Sequence, residues 1–131
     1  MVQYLGNKTK GVKMELKNIE DCIKILKRRS PMKNPETLEF MHTKEEFVLG
    51  QYHHGFGTKI RNEWLWDIEK QPLLIKFFHD YGIIHADDMS GLIIKAFWCS
   101  LNKVEFDIEE KVKSYIEFWK RQPDMEYTFK C

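Results

Sequence analysis

The chain has 131 residues, 43% of them hydrophobic and 14% aromatic, a composition that excludes a disordered polymer and fits one domain with a modest core. Its net charge is only +1, yet residues 1–34 carry nine Lys and Arg against three Asp and Glu, while residues 35–131 carry twelve against seventeen. No apolar run approaches a membrane span, because His85, Asp87, Asp88 and Lys95 break the longest, and no apolar core follows the N-terminal lysines as it would in a secretory signal; a soluble, cytoplasmic protein is expected.

Residues 1–13 lack apolar periodicity and read as a flexible basic segment, with Met14 a second candidate for the biological start; residues 14–131 then form a single helical domain. Leu16, Ile19, Cys22, Ile23 and Leu26 recur at helical spacing behind Asn18 and Asp21, and Lys27, Arg28 and Arg29 suit the negative end before Ser30-Pro31. Pro35 opens a brief turn of helix. Thr43-Lys44-Glu45-Glu46 has the form of a capping box ahead of Phe47, Val48 and Leu49, and that helix should end near His53-His54, with Gly55 as a left-handed cap. Thr58 to Trp66 predicts another short helix.

Pro72 suits a first helical position, with Leu73, Leu74, Phe77, Phe78 and Tyr81 on its apolar side and Gly82 closing it against Ile83 or Ile84. The next helix begins at His85 or Ala86, holds Asp87 and Asp88 in its first turn, and buries Met89, Leu92, Ile93, Ala96, Phe97 and Leu101 before Asn102. Asp107 with Glu110 starts the last, which carries Ile108, Val112, Tyr115, Ile116 and Trp119 towards Pro123; Met125 to Cys131 can add a short extended segment. The expected fold is all-α, a compact bundle of five to six short helices. Cys22 and Cys99 fall on apolar stripes and Cys131 at the end, an odd and widely spaced set that supports neither a disulfide framework nor a cysteine zinc site.

Chemistry concentrates in two dense runs, His53 to Asp67 and Gly82 to Gly91. His53, His54, His85, Asp87 and Asp88 have the donor atoms for a divalent metal, but there is no H-E-x-x-H and no histidine pair one helical turn apart within either run. No metal and no cofactor is therefore expected. The histidines read more plainly as helix-end residues, His85 as an N-terminal cap. Arg61 has a fork that can grip a phosphate or a carboxylate of a partner. The plainer reading pairs it with Asp87 or Asp88, pinning the two runs together while Asn62 satisfies loose backbone groups. Gly55-Phe56-Gly57 lacks the Gly-Lys-Ser/Thr ending of a phosphate loop. Ser90, His85 and Asp87 are triad residue types without a nucleophile elbow, so no catalytic residue is assigned. Trp64, Trp66, Trp98 and Trp119 suit either an interface or the core.

With these runs in view, the chain resembles a family of short bacterial proteins known only as a domain of unknown function. Its pattern is roughly His-Phe-Gly-Leu-Gly, Ile-Arg-Asn, Trp, Leu-Trp, Gly-Ile, His-Pro-Asp-Asp-Met-Ser, Ile-Ile and Leu-Asn. The matching residues are His54-Gly55-Phe56-Gly57 in shifted form, Ile60-Arg61-Asn62, Trp64, Leu65-Trp66, Gly82-Ile83, His85-Ala86-Asp87-Asp88-Met89-Ser90, Ile93-Ile94 and Leu101-Asn102, covering about residues 43–102. Ala86 replaces the family's proline and Gly55 its first phenylalanine. The resemblance implies a compact helical domain and carries no activity with it.

Three functional readings follow. The first is a small binding protein of immunity or inhibitor type that occludes or modulates a protein partner, with His54, Arg61, Asn62, Trp64, Trp66, His85, Asp87 and Asp88 as the candidate contact cluster. The second is an enzyme or small-ligand sensor with a pocket at Arg61, His85 and Asp88. The third is nucleic-acid binding through the basic N-terminal arm.

Overall fold

The computed structural model describes residues 14–122; the N-terminal segment, Cys131 and the tail from Met125 lie outside the described residues. Every regular element among them is helical: α1 (Ile19–Arg29), α2 (Pro35–His42), α3 (Glu45–Tyr52), α4 (Gly55–Ile60), α5 (Pro72–Asp80), α6 (Ala86–Asn102) and α7 (Ile108–Lys120). A π-helical turn, Arg61–Leu65, continues α4 without a break. The class is all-α, with seven α-helices among the described residues rather than five or six. The difference lies at Pro35, where the expected brief turn grows into two turns of helix. Asn34 Oδ1 accepts from the Glu36 N–H at 2.8 Å, Pro35 sits where no amide is needed, and Thr37 and Phe40 give the helix a buried side.

α6 is the axis of the bundle. The sequence pattern predicts one apolar face, but Met89 to Ile94 and Ala96 to Cys99 are all buried, the signature of a helix enclosed on every side. Helices α1, α2, α3, α4 and α7 and the π-turn all pack on it. Phe40 stacks on Phe97 with ring centroids 5.3 Å apart, and Tyr52 and Phe56 meet Phe40 edge-on. Cys22 and Cys99 are buried in this core, where burial raises both thiols above their ordinary range.

The helix ends follow local chemistry, with three departures from expectation. Asn18 and Asp107 cap α1 and α7 by accepting from the Asp21 and Glu110 amides at 3.0 and 3.3 Å. Gly82 takes φ +86°, and the Ile83 N–H reaches back to the Phe78 carbonyl at 3.0 Å, burying Ile83 and leaving Ile84 outside. Thr43, however, does not cap α3; its hydroxyl donates to the Glu39 carbonyl of α2 at 2.8 Å. Gly55 is no left-handed cap either, because the chain runs through His53 and His54 in right-handed geometry straight into α4. His85 precedes α6 without a side-chain capping bond.

Long-range polar links tie distant segments of the described residues together. The buried Gln71 side chain accepts from the Leu16 amide at 2.8 Å and donates to the Met14 carbonyl at 2.9 Å, so one residue ahead of α5 fixes the entry to α1. Asn102, the last residue of α6, donates to the Met41 carbonyl of α2 at 3.1 Å. Among the described residues no helix is long and apolar enough to cross a membrane.

Candidate functional site

The two dense runs meet at Arg61. The π-turn opens where the Trp66 amide reaches the Arg61 carbonyl at 2.9 Å, five residues back instead of four. Arg61 stands at the head of this wide turn and is 5% exposed. Its Nη1 donates to Ser90 Oγ at 2.8 Å, and its Nη2 donates to the His53 carbonyl at 3.0 Å and to Thr58 Oγ1 at 3.1 Å. Its Nε lies 3.4 Å from Asp87 Oδ1. A guanidinium removed from water needs such partners, since an unpaired buried charge costs several kcal/mol.

Two glycines make the approach. A Cβ on Gly57 would stand 2.9 Å from Arg61 Nη1 and 3.3 Å from the Tyr52 carbonyl oxygen, so the glycine vacates the space that the guanidinium fills. A Cβ on Gly91 would stand 2.7 Å from the Tyr115 hydroxyl oxygen, so α7 packs against α6 there.

The adjacent carboxylates Asp87 and Asp88 serve different neighbours because consecutive helical residues point about 100° apart. Asp87 faces Arg61. Asp88 Oδ2 accepts from Trp119 Nε1 of α7 at 2.9 Å. Burial pushes the Asp88 carboxyl above its ordinary value, and the Trp119 bond only partly opposes this. Burial and the neighbouring Asp88 charge push the Tyr115 hydroxyl up to about 12. His85 stacks on Trp119 with centroids 4.2 Å apart, and its buried Nε2 has no hydrogen-bond partner among the described residues.

The remaining candidates separate. His53 contributes its backbone carbonyl to Arg61 rather than its ring, and His54 is exposed beside it. Asn62 is exposed and stands outside the Arg61 network, its carbonyl accepting from Lys70 Nζ at 3.4 Å, so it does not serve the joint as expected. Trp64 is buried beneath Arg29, whose guanidinium lies 5.7 Å from the ring centroid and grips Glu63 with two bonds of 2.8 and 2.7 Å. Among the described residues no group of three His, Cys, Asp or Glu side chains is arranged to hold a metal.

Trp66 points the other way. It is 58% exposed, as is Ile68, and both line a groove of about 500 Å³ with Ile84, Asp87, Asp88 and Trp119. Thus the joint that encloses Arg61 also forms the edge of an open groove in which exposed apolar side chains stand beside carboxylates. Sequence reasoning missed Ser90 as the partner of Arg61, although Asp87 and Ser90 share a helix face at i, i+3. It also missed Ile68 and Ile84, whose exposure has no local signal.

A comparison with protein-family models matches residues 17–101 to the family described as Domain of unknown function (DUF6794). The chain belongs to this family. The matched span of this DUF6794 protein includes Arg61, Gly57, Asp87 and Ser90, while α7, with Tyr115 and Trp119, lies beyond it. Searches of curated proteins and of solved structures each found no match.

Proposed function

We propose that this DUF6794 protein is a small binding protein that occludes or modulates a protein partner, in the manner of immunity proteins and inhibitors, and that its contact surface is the groove edged by Trp66, Ile68 and Ile84. The supporting observation is the exposure of these three large apolar side chains around one concavity, beside the buried polar joint at Arg61. Exposed apolar surface gathered in a groove is characteristic of interaction sites, and tryptophan dominates the energetics of such contacts. A π-turn at its edge agrees with the frequent occurrence of such turns at functional sites.

A small-ligand or enzymatic reading centred on Arg61 has weaker support, because each of its three guanidinium nitrogens already has a partner inside the protein. The nucleic-acid reading rests on residues 1–13, outside the described residues. The test is affinity capture from the native source with the wild-type chain and a Trp66→Ala, Ile84→Ala variant in parallel. The expected result is a stoichiometric protein retained by the wild type and lost by a variant of unchanged thermal stability. Capture of nothing, or equal capture by both, overturns the proposal.

A further inference from the structure

We infer that the groove takes a partner segment in which a large apolar side chain is flanked by lysine or arginine, the apolar group seating on Trp66 and Ile84 and the cation on Asp87. This rests on the groove reading above and specifies its ligand.

Charge complementarity carries the inference. The residues lining the groove include two carboxylates, Asp87 and Asp88, two histidines, His79 and His85, and neither lysine nor arginine. The two lining carboxylates are unequal. Asp88 is turned towards α7 and tied to Trp119, whereas Asp87 is 62% exposed with one oxygen facing Arg61. Asp87 is therefore both held in place and open to a visiting cation.

The apolar wall makes the pairing selective. A lysine or arginine stem can lie along apolar surface while its head reaches the carboxylate. A neutral segment of equal hydrophobicity would take water from the open side of Asp87 and give nothing back, and an acidic one would bring a like charge against it; both are penalised. Arg61 sits behind the carboxylate, so the bound state is a row of alternating charge: Arg61, Asp87, then the partner's cation.

The test is selection of short random peptides displayed on phage against the immobilised full chain, with Trp66→Ala as the counter-selection. The expected peptides share an aromatic or large aliphatic residue with lysine or arginine close by. A synthetic copy should bind the wild type, lose all detectable binding to Trp66→Ala, and weaken roughly two- to fivefold on Asp87→Asn. The salt dependence of wild-type binding gives the same information without a variant: affinity should fall as salt rises. Trp66-dependent peptides that are neutral or acidic would overturn the basic chemistry and leave the groove standing. Absence of any Trp66-dependent peptide would overturn the groove reading itself.

Discussion

Ser90 Oγ accepts a hydrogen bond from Arg61 Nη1 at 2.8 Å and donates its own to the Asp87 carbonyl at 3.0 Å. One hydroxyl thus joins the π-turn to the first turn of the central helix, and both of its hydrogen-bonding roles are used in a fully buried position. The Arg61 network is accordingly a structural hinge pin for the two motif runs, and its removal should be costly.

Arg61→Ala should destabilise the domain by about 2–4 kcal/mol, combining the cavity with the loss of partners for Ser90 and the His53 carbonyl. Arg61→Lys keeps the charge but cannot bond Ser90, Thr58 and the His53 carbonyl at once, so it should recover less than half of that loss. Urea denaturation of the three proteins decides this. An alanine variant within about 0.5 kcal/mol of wild type would remove the structural role.

Gly57→Ala should cost about 1–3 kcal/mol, because the new methyl meets a guanidinium that its bonds prevent from moving and a backbone oxygen beyond it. In a double-mutant cycle with Arg61→Ala the two losses should sum to more than the loss in the double variant, since removing the guanidinium vacates the space the methyl needs. Strict additivity would show that the Tyr52 carbonyl, not Arg61, sets the penalty.

Asp88 gives the stability a definite pH slope. Its carboxyl is raised in the fold by burial, so the native state holds the proton more tightly than the unfolded chain. The stabilisation from that proton is complete below the unfolded value and is lost as pH rises through the folded one. Asp88→Asn retains an acceptor for Trp119 and removes the titration. Measured from about pH 3.5 to 7, the stability of the wild type relative to Asp88→Asn should fall as pH rises and then level off. A difference that stays flat or rises would contradict the assignment.

Gln71→Ala should cost about 1–2 kcal/mol through the loss of two long-range bonds to the backbone. The loss should be local as well as global. Hydrogen exchange at the Leu16 amide should accelerate more than exchange at the α6 amides, and equal acceleration at both would argue against a clamp.

The sequence made the helical class readable because periodicity, prolines and capping residues act locally. Asn18, Asp107, Pro72 and Gly82 each work within a turn of their own position, and each does so in the structure. Thr43 and Gly55 failed for the opposite reason: their surroundings are set by tertiary neighbours. Thr43 is drawn to α2 while its own carbonyl accepts from Trp98 Nε1 at 3.0 Å, and Gly55 is carried along by a chain that never reverses. At the site, the meeting of Arg61 with a carboxylate was legible from residue type. Which of two adjacent aspartates it meets was not, because that choice depends on the rotation of α6. Trp119 was likewise visible as an apolar helix residue but not as the partner of Asp88, a contact across 31 positions.

The wide turn at Arg61–Leu65 has a consequence for how length is tolerated in this chain. Each residue of an α-helix advances the side-chain direction by about 100°, so one surplus residue in a turn rotates everything that follows relative to everything before. Arg61, Trp64 and Leu65 are buried on one side of this turn, and Trp66, the residue that follows it, is exposed. A one-residue deletion between Arg61 and Leu65 would turn the residues on one side of it by about 100° against those on the other: composition would hardly change, yet the apolar stripe would swing off the core. The chain can thus absorb a changed side chain at Asn62 or Glu63 far more readily than a changed count.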